Sequence, residues 1–392
     1  MRFARTDRSR IARWWVSIDR VLLGALLALA LTGVLVSLAA SPAVAIKRGL
    51  APFSLVERHV LLAGASVLLM IGVSFLTPSQ ARRLGAITFA ISLAGLVAVL
   101  LVGTEVNGAR RWLRLGGHSL QPSEFIKPGF AILAAWLLAD ARRRIDVPAM
   151  PLAIGLLVVT AGLLVAEPDV GQTVLVGTVW GVLYYLSGQP LRGALMFVAG
   201  CTGGLVVLYA TLGHVRSRID RFFGQGDTFQ VDRAAQSFAE GGLFGRGPGE
   251  GVIKIQLPDA HTDFIFAVIA EEFGAIACVA LGLLVGFIVV RAMVRALAEP
   301  DPIDRLAITG LALFLALQSL INMGVNVGLL PAKGMTLPFI SNGGSSLLAV
   351  GLSMGLLLAL TRRRAPHVRA APERPAPAGF HAQAPQRAMG HQ

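Results

Sequence analysis

Three side chains able to exchange protons fall within five residues of LPDAHTDFIFAVIAEEFG: Asp259, His261 and Asp263, with Glu271 and Glu272 further along. A carboxylate facing a groove can take the proton of a substrate hydroxyl as a general base. At the start of a helix the same group can cap the N-terminus, and both readings stand for Asp263. His-x-Asp spacing is compatible with a metal, but two ligands at a helix start do not make a site. On an ideal helix Glu271 lies about 80° around from Asp263 and about 12 Å deeper, while Glu272 points the opposite way. Only one of the two acids can therefore share a groove with Asp263.

Cations lie in two other segments. NGARRWLRLGGHSLQPSEFIK carries Arg110, Arg111, Arg114, His118, Glu124 and Lys127, and HVRSRIDRFF carries Arg216, Arg218 and Arg221. Lys127 stands about one turn inside an apolar stretch beside Pro128, which is costly in lipid unless the ammonium faces a cavity or an anion; the plain alternative is a snorkelling side chain. Trp112 reads either as an interfacial anchor or as part of the same site. The arginines at 216 and 218 suit lipid headgroups or an anionic substrate. Glu167, Pro168 and Asp169 form a tight acidic corner. In NMGVNVGLLPAKGMTLPFISNGGSS, the residues Asn322, Asn326, Pro331, Lys333, Pro338, Ser341, Asn342, Gly343 and Gly344 predict broken or re-entrant backbone, tolerated at membrane depth only where protein or a water-filled cavity satisfies it.

The elements that must hold these residues follow from composition. Of 392 residues, 35 are Lys or Arg and 22 Asp or Glu; charged residues make up 15% and hydrophobic ones 55%. A typical soluble domain has about 25% charged residues, and the mean hydropathy here is +0.68. The predicted class is all-α: a polytopic integral membrane protein with ten transmembrane helices, near 20–41, 58–77, 86–103, 124–139, 149–166, 170–187, 191–212, 263–294, 305–325 and 343–361. A net charge of +13 does not indicate nucleic acid, because the basic residues punctuate apolar runs instead of clustering on a polar domain. Cys201 and Cys278 lie inside apolar runs and suggest neither disulfide nor thiolate metal site.

The basic segment 1–19 precedes an apolar stretch too long for a signal-peptide core, so it reads as a cytoplasmic segment before a retained first span. With ten spans both ends share a side. That side carries 21 basic residues and the opposite one 13, which places both termini in the cytoplasm of a cytoplasmic (inner) membrane. A long outer loop, 214–262, contains GGLFGRGPGEG and predicts closely approached, irregular backbone instead of a separate domain. The membrane domain then covers 20–361, and the Pro-, Ala- and Arg-rich stretch 362–392 reads as a disordered cytoplasmic tail.

NGARRW with LQPSEFIK, EPDVGQT, GGLFGRGPGEG with LPDAHTDFIFAVIAEEFG, and GLLPAKGMTLPFISNGGSS together resemble the SEDS proteins of bacterial cell-wall synthesis. The motifs run from about residue 107 to 346, and KGMTLPFIS is more similar to the division branch than to the elongation branch. The resemblance implies an inverting peptidoglycan glycosyltransferase that polymerises lipid II, the undecaprenyl-pyrophosphate-linked disaccharide pentapeptide, at the outer face of the membrane. It implies Asp263 as the base, Arg111, Lys127, Arg216 and Arg218 around the phosphates, and Trp112, His261 and Ser341 as further substrate contacts. It also implies a class B penicillin-binding protein and other divisome membrane proteins as partners, since no transpeptidase segment is present. A divalent cation such as Mg²⁺ would suit the pyrophosphate, though no ligand set stands out.

Departures from the usual family pattern are Asp259 for Glu, Glu167 for Gln and Asn342 for Tyr. None removes Asp263, but each unsettles a role for the residue concerned. Rival readings are a lipid II flippase or other transporter and a scaffold that recruits a synthase. A carrier places its charges near the bilayer midplane, whereas here they crowd the outer mouth.

Overall fold

Asp19 begins the first long helix: its carboxylate accepts the backbone N–H groups of Val21 and Leu22, so α2 (Arg20–Lys47) starts there, after the short amphipathic α1 (Arg10–Ser17). The computed structural model describes residues 9–363 apart from 107, 108, 117, 145, 212, 214, 215, 218, 219, 221–228, 332 and 333. Arg218, Arg221, Lys333 and the tail from 364 onward therefore lie outside the described residues.

The helices that follow are α3 (Ser54–Ser74), α4 (Pro78–Val102), α5 (Pro122–Asp140), α6 (Ala149–Ala166), α7 (Val170–Leu186), α8 (Leu191–Thr211), α9 (Phe229–Gly241), α10 (Ile265–Leu297), α11 (Pro302–Asn326) and α12 (Gly344–Leu360). Their starts carry ordinary signals. Thr77, Pro78 and Gln80 make a capping box for α4, and Asp301 with Pro302 opens α11. A helix covers each of the ten apolar stretches, and seven are long and apolar enough to cross a membrane. The protein is a mostly helical, polytopic membrane protein. Residues through Arg362 make one compact unit.

At its centre α12 packs on α3 and is buried along nearly its whole length. Small residues permit this. A side chain at Gly351 would lie 2.4 Å from the Ser66 Oγ, whose hydroxyl donates to the Leu347 carbonyl at 2.5 Å. Close approach of small residues with a hydroxyl between them holds helices together where lipid is as apolar as the helix faces. By contrast, α8 has no buried residue.

Two features differ from the sequence expectation. Between α4 and α5 the chain forms a three-stranded antiparallel sheet, β1 (Thr104–Val106), β2 (Ala109–Leu115) and β3 (His118–Leu120), in the order β1-β2-β3. Helix α10 is also two rods instead of one. Gly274 has φ 80° and ψ 177°, a conformation that L side chains avoid, and it interrupts the helix within the stretch expected to be one span.

The glycine-rich loop repairs that break. Arg246 and Gly247 donate their N–H groups to the carbonyls of Glu271 and Glu272 at 2.9 and 3.0 Å, and the N–H groups of Ala275 and Ile276 reach the carbonyls of Gly242 and Leu243 at 2.9 and 3.3 Å. Backbone freed by the break is thus satisfied by protein, as burial requires. Gly245 sits with φ 80° so close to the break that a Cβ there would stand 2.2 Å from the Glu272 carbonyl oxygen.

Candidate active site

Asp263 lies two residues before α10 in a run of turns, half-buried. The helix cap is Phe264, whose side chain makes no capping hydrogen bond. Its backbone is held tightly. The Asp263 carbonyl accepts from Asn322 Nδ2 at 2.9 Å and Asn326 Nδ2 at 3.0 Å, and its N–H donates to the Asp259 carbonyl at 3.1 Å. Asn326 Oδ1 also accepts the Ala267 N–H at 3.0 Å, doing for the first turn of α10 what the cap residue does not. The Asp263 carboxylate lies against Gly334, where a Cβ would be 3.0 Å from Oδ2.

The predicted re-entrant segment wraps this point. Asn322 Nδ2 also donates to the Met335 carbonyl at 2.6 Å, and the Asn342 N–H donates to the His261 carbonyl at 2.9 Å. Ser341 is buried, accepting the Leu337 N–H at 2.7 Å and donating to the Thr262 carbonyl at 2.6 Å. It stitches the 335–342 loop to the Asp263 turn. His261 is buried with Nδ1 lacking a hydrogen-bond partner, and burial, reinforced by Arg48 and opposed by Asp259, lowers its pKa to about 4. It is therefore neutral at pH 7. Arg48, a residue that sequence reasoning passed over, stands 3.8 Å from Asp259.

Beneath the loop runs a chain of polar side chains. Gln172 Nε2 donates to Glu124 Oε1 at 2.8 Å, Lys127 Nζ donates to Glu124 Oε2 at 2.8 Å and Gln318 Oε1 at 2.6 Å, and Gln318 Nε2 donates to the Thr336 carbonyl at 3.0 Å. Lys127 thus sits inside the bundle, neutralised by Glu124. A cavity of ≈ 20 Å³ adjoins it, lined by Glu124, Lys127, Gln318, Pro338 and Ser353 among others, with room for about one water. Gln172 and Gln318 were missed in the sequence, where their signal was an amide inside an apolar run.

Arg111 and Trp112 lie on β2, each half-buried. The Arg111 guanidinium donates to the carbonyl oxygens of Glu167, at 3.3 Å, and Pro168, closing the acidic corner between α6 and α7. Glu167 is fully buried there and neither carboxylate oxygen has a hydrogen-bond partner. Burial, with Asp169 adding to it and Arg111 opposing, raises its pKa to about 8, so it is mostly a neutral acid at pH 7. Arg216 is elsewhere engaged, 3.7 Å from Asp220 and over the Tyr209 ring at 5.9 Å.

Glu271 and Glu272 do not divide as expected into one groove acid and one outward acid. Both are buried against the glycine-rich loop, because the loop fills the space beside the broken helix. Among the described residues no group of three His, Cys, Asp or Glu side chains gathers as a metal site.

Comparison with known proteins bears on this arrangement. Residues 19–365 match the family FTSW_RODA_SPOVE, described as cell cycle protein. The chain is 42% identical over 365 residues to a Caulobacter vibrioides protein named probable peptidoglycan glycosyltransferase FtsW, covering 92% of this chain and 94% of that one. It is similar, with TM-score 0.75 and 30% identity over 88% of this chain and 98% of the other, to a chain solved in a study of structural coordination of polymerization and crosslinking by a peptidoglycan synthase complex. The crystal structure of Thermus thermophilus rod shape determining protein RodA is similar with TM-score 0.66 and 30% identity, covering 88% and 97% of the two chains.

Proposed function

The chain belongs to the FtsW, RodA and SpoVE family of cell cycle proteins, and from that premise we propose how its site works. It is a peptidoglycan glycosyltransferase of the division type. In our reading it spans the cytoplasmic membrane ten times with both termini inside, and polymerises lipid II at the outer face. Asp263 takes the proton of the acceptor sugar hydroxyl as that oxygen bonds to the anomeric carbon from the face opposite the leaving group. The bond to the lipid pyrophosphate breaks, and the pyrophosphate leaves with its electron pair.

The observation that carries this reading is the clamp on Asp263. Two amides on α11 fix its backbone while its carboxylate stands beside Gly334, which brings no side chain of its own. A base is useful only when held in line with the proton it removes. Arg111 on the hairpin, with Arg216 and Arg218 in the loop, is assigned to the phosphates, where cations offset the charge that develops, and Trp112 beside it to the rest of the substrate. Neutral His261 is assigned to a hydroxyl or amide of the substrate. Lys127 and Ser341, both buried, act by holding the loop that faces substrate. A class B penicillin-binding protein supplies the transpeptidase, alongside other divisome membrane proteins.

The test is polymerisation of lipid II in detergent, with no membrane to cross and with the penicillin-binding partner present. The native chain makes a ladder of glycan products and Asp263→Asn makes none. A native preparation that makes no polymer, or an Asn variant that makes as much, overturns the assignment and favours a carrier. Topology is checked separately: a reporter active only outside the cytoplasm works after Gly226 and fails after Arg364.

A further inference from the structure

Between the glycine-rich loop and α10 the chain makes a closed excursion. It passes Lys254, runs through LPDAHTD, enters the first rod of α10 and returns at Glu272, where the Lys254 ammonium meets the Glu272 carboxylate across eighteen residues of sequence. Asp263 lies nine residues from each end, at the apex. The neck is buried, with Lys254 2% and Glu272 1% exposed. We infer that Lys254 is a positioning residue for Asp263, acting through this clasp; the inference rests on the reading of Asp263 as the base.

The types of the residues at the neck support it. An ammonium has three donors on one tetrahedral nitrogen. Lys254 points them at Glu272, at the Gly249 carbonyl, 3.0 Å away, and at the Ala39 carbonyl of α2, 3.1 Å away. All three are engaged and the group is shut away from solvent, so Lys254 has nothing left to offer a substrate. What it joins are the loop, the first rod of α10 and a neighbouring helix. Glu271 fixes the same neck by another route, its carboxylate accepting the N–H groups of Val252, Ile253 and Lys254 at 2.5, 2.6 and 2.9 Å.

Stability alone does not call for such a pair. A buried ion pair is often replaced by apolar residues without loss, because desolvation offsets the attraction, and its attested use is to fix one arrangement among several. Here the arrangement fixed is the closure of a segment whose midpoint bears the base. Asn322 and Asn326 hold Asp263 from the α11 side. With the neck open, the segment is no longer closed at its base, and the Asp263 carboxylate loses alignment with the acceptor hydroxyl.

The experiment compares Lys254→Met, Glu272→Gln, the double variant and Asp263→Asn in the detergent polymerisation assay, reading kcat, KM for lipid II and melting temperature. Lys254→Met is expected to lower kcat at least tenfold with KM within twofold and the melting temperature nearly unchanged. Glu272→Gln, which keeps an acceptor for the ammonium, loses less, and the double variant is no worse than Lys254→Met, since both changes open one clasp. Native kcat in Lys254→Met, or losses that multiply in the double variant, overturns the inference. If Lys254→Met does not fold, Lys254→Arg decides: it keeps the charge but spreads its donors in a plane. A kcat loss of threefold or more at unchanged melting temperature then supports the clasp, and native kcat removes it. Native turnover in Asp263→Asn instead sinks the base reading, and the inference falls with its premise.

Discussion

The two ends of the helix bundle both carry ion pairs, Lys254 to Glu272 at one and Arg291 to Asp19 at the other, but differ in what the other side chains hold. At the Asp263 end, side chains mostly grip backbone: Asn322, Asn326, Ser341, Glu271 and Arg111 each bind main-chain groups of a loop or turn. At the opposite end, charges pair with charges. Asp19 receives Arg291 at 2.8 Å and Arg295 at 2.5 Å, and Arg82 reaches Asp301 at 3.1 Å and Asp304 at 3.7 Å. Ion pairs between helix ends fix how helices stand together. Bonds to loop backbone fix where one particular atom sits. The first arrangement serves assembly and the second chemistry.

The sharpest way to break this contrast is to make one chemical change at both ends. Asp263→Asn is expected to cut polymer formation by about 10² or more, the scale of a lost general base, with the melting temperature nearly unchanged. Asp19→Asn keeps the α2 cap but leaves two guanidiniums without their anion, so it should lower stability by about 1–3 kcal/mol and leave turnover within twofold. Calorimetry or fluorescence melting beside the polymer assay separates the two. Similar rate losses in both would erase the distinction.

Arg111 tests the same contrast at its boundary. Its guanidinium closes the Glu167 corner in the structure and faces phosphate in the proposed mechanism. Arg111→Ala is expected to lower turnover at least tenfold, about 1.4 kcal/mol of barrier, with expression unaltered. A loss of stability without loss of rate would move Arg111 into the assembly class.

The smallest effect concerns the neighbouring acid. A carboxyl whose pKa is raised on folding from 4.5 to about 8 binds more protons folded than unfolded across that window, so stability falls as pH climbs through it. Glu167→Gln removes the proton and the dependence together. The variant should melt close to the native chain at pH 5 and above it at pH 8.5, with glycan synthesis altered little at pH 7. A melting difference independent of pH would show that Glu167 has a partner in its ionised form.

Much of this architecture is legible in the residues. Each of the ten apolar stretches became a helix, because in lipid a run of that length has few ways to satisfy its own backbone. The polar segments 259–263 and 335–342 meet, through Asn322, Ser341 and Asn342, whereas Arg111 closes the Glu167 corner. What was missed depends on partners distant in sequence. The β-hairpin had its signal in Asn107-Gly108 and Gly116-Gly117 on either side of ARRWLRL, obscured by three arginines that read as a charged loop. Lys254 gave no hint of its role, since a lysine in a polar loop is ordinarily solvated. The division of α10 escaped too: a single Gly in an apolar helix is common, and only the loop folded back upon Gly274 makes a positive φ there stable.

Gly274 has one more consequence, which is mechanical. Beyond it α10 turns Ile276, Val279, Leu283, Val290 and Val294 outward, the stripe that acyl chains touch. When a bilayer thins or thickens, a helix with such a stripe accommodates by tilting. An unbroken rod would swing its far end, and the attacking geometry with it, through the same angle. The rod interrupted at Gly274 is instead anchored at the break itself: the glycine-rich loop binds Glu271 and Glu272 on one side and Ala275 and Ile276 on the other, and Asn322 and Asn326 tie the short arm to α11. A load that lipid places on the long arm therefore meets the loop and α11 before it reaches Asp263.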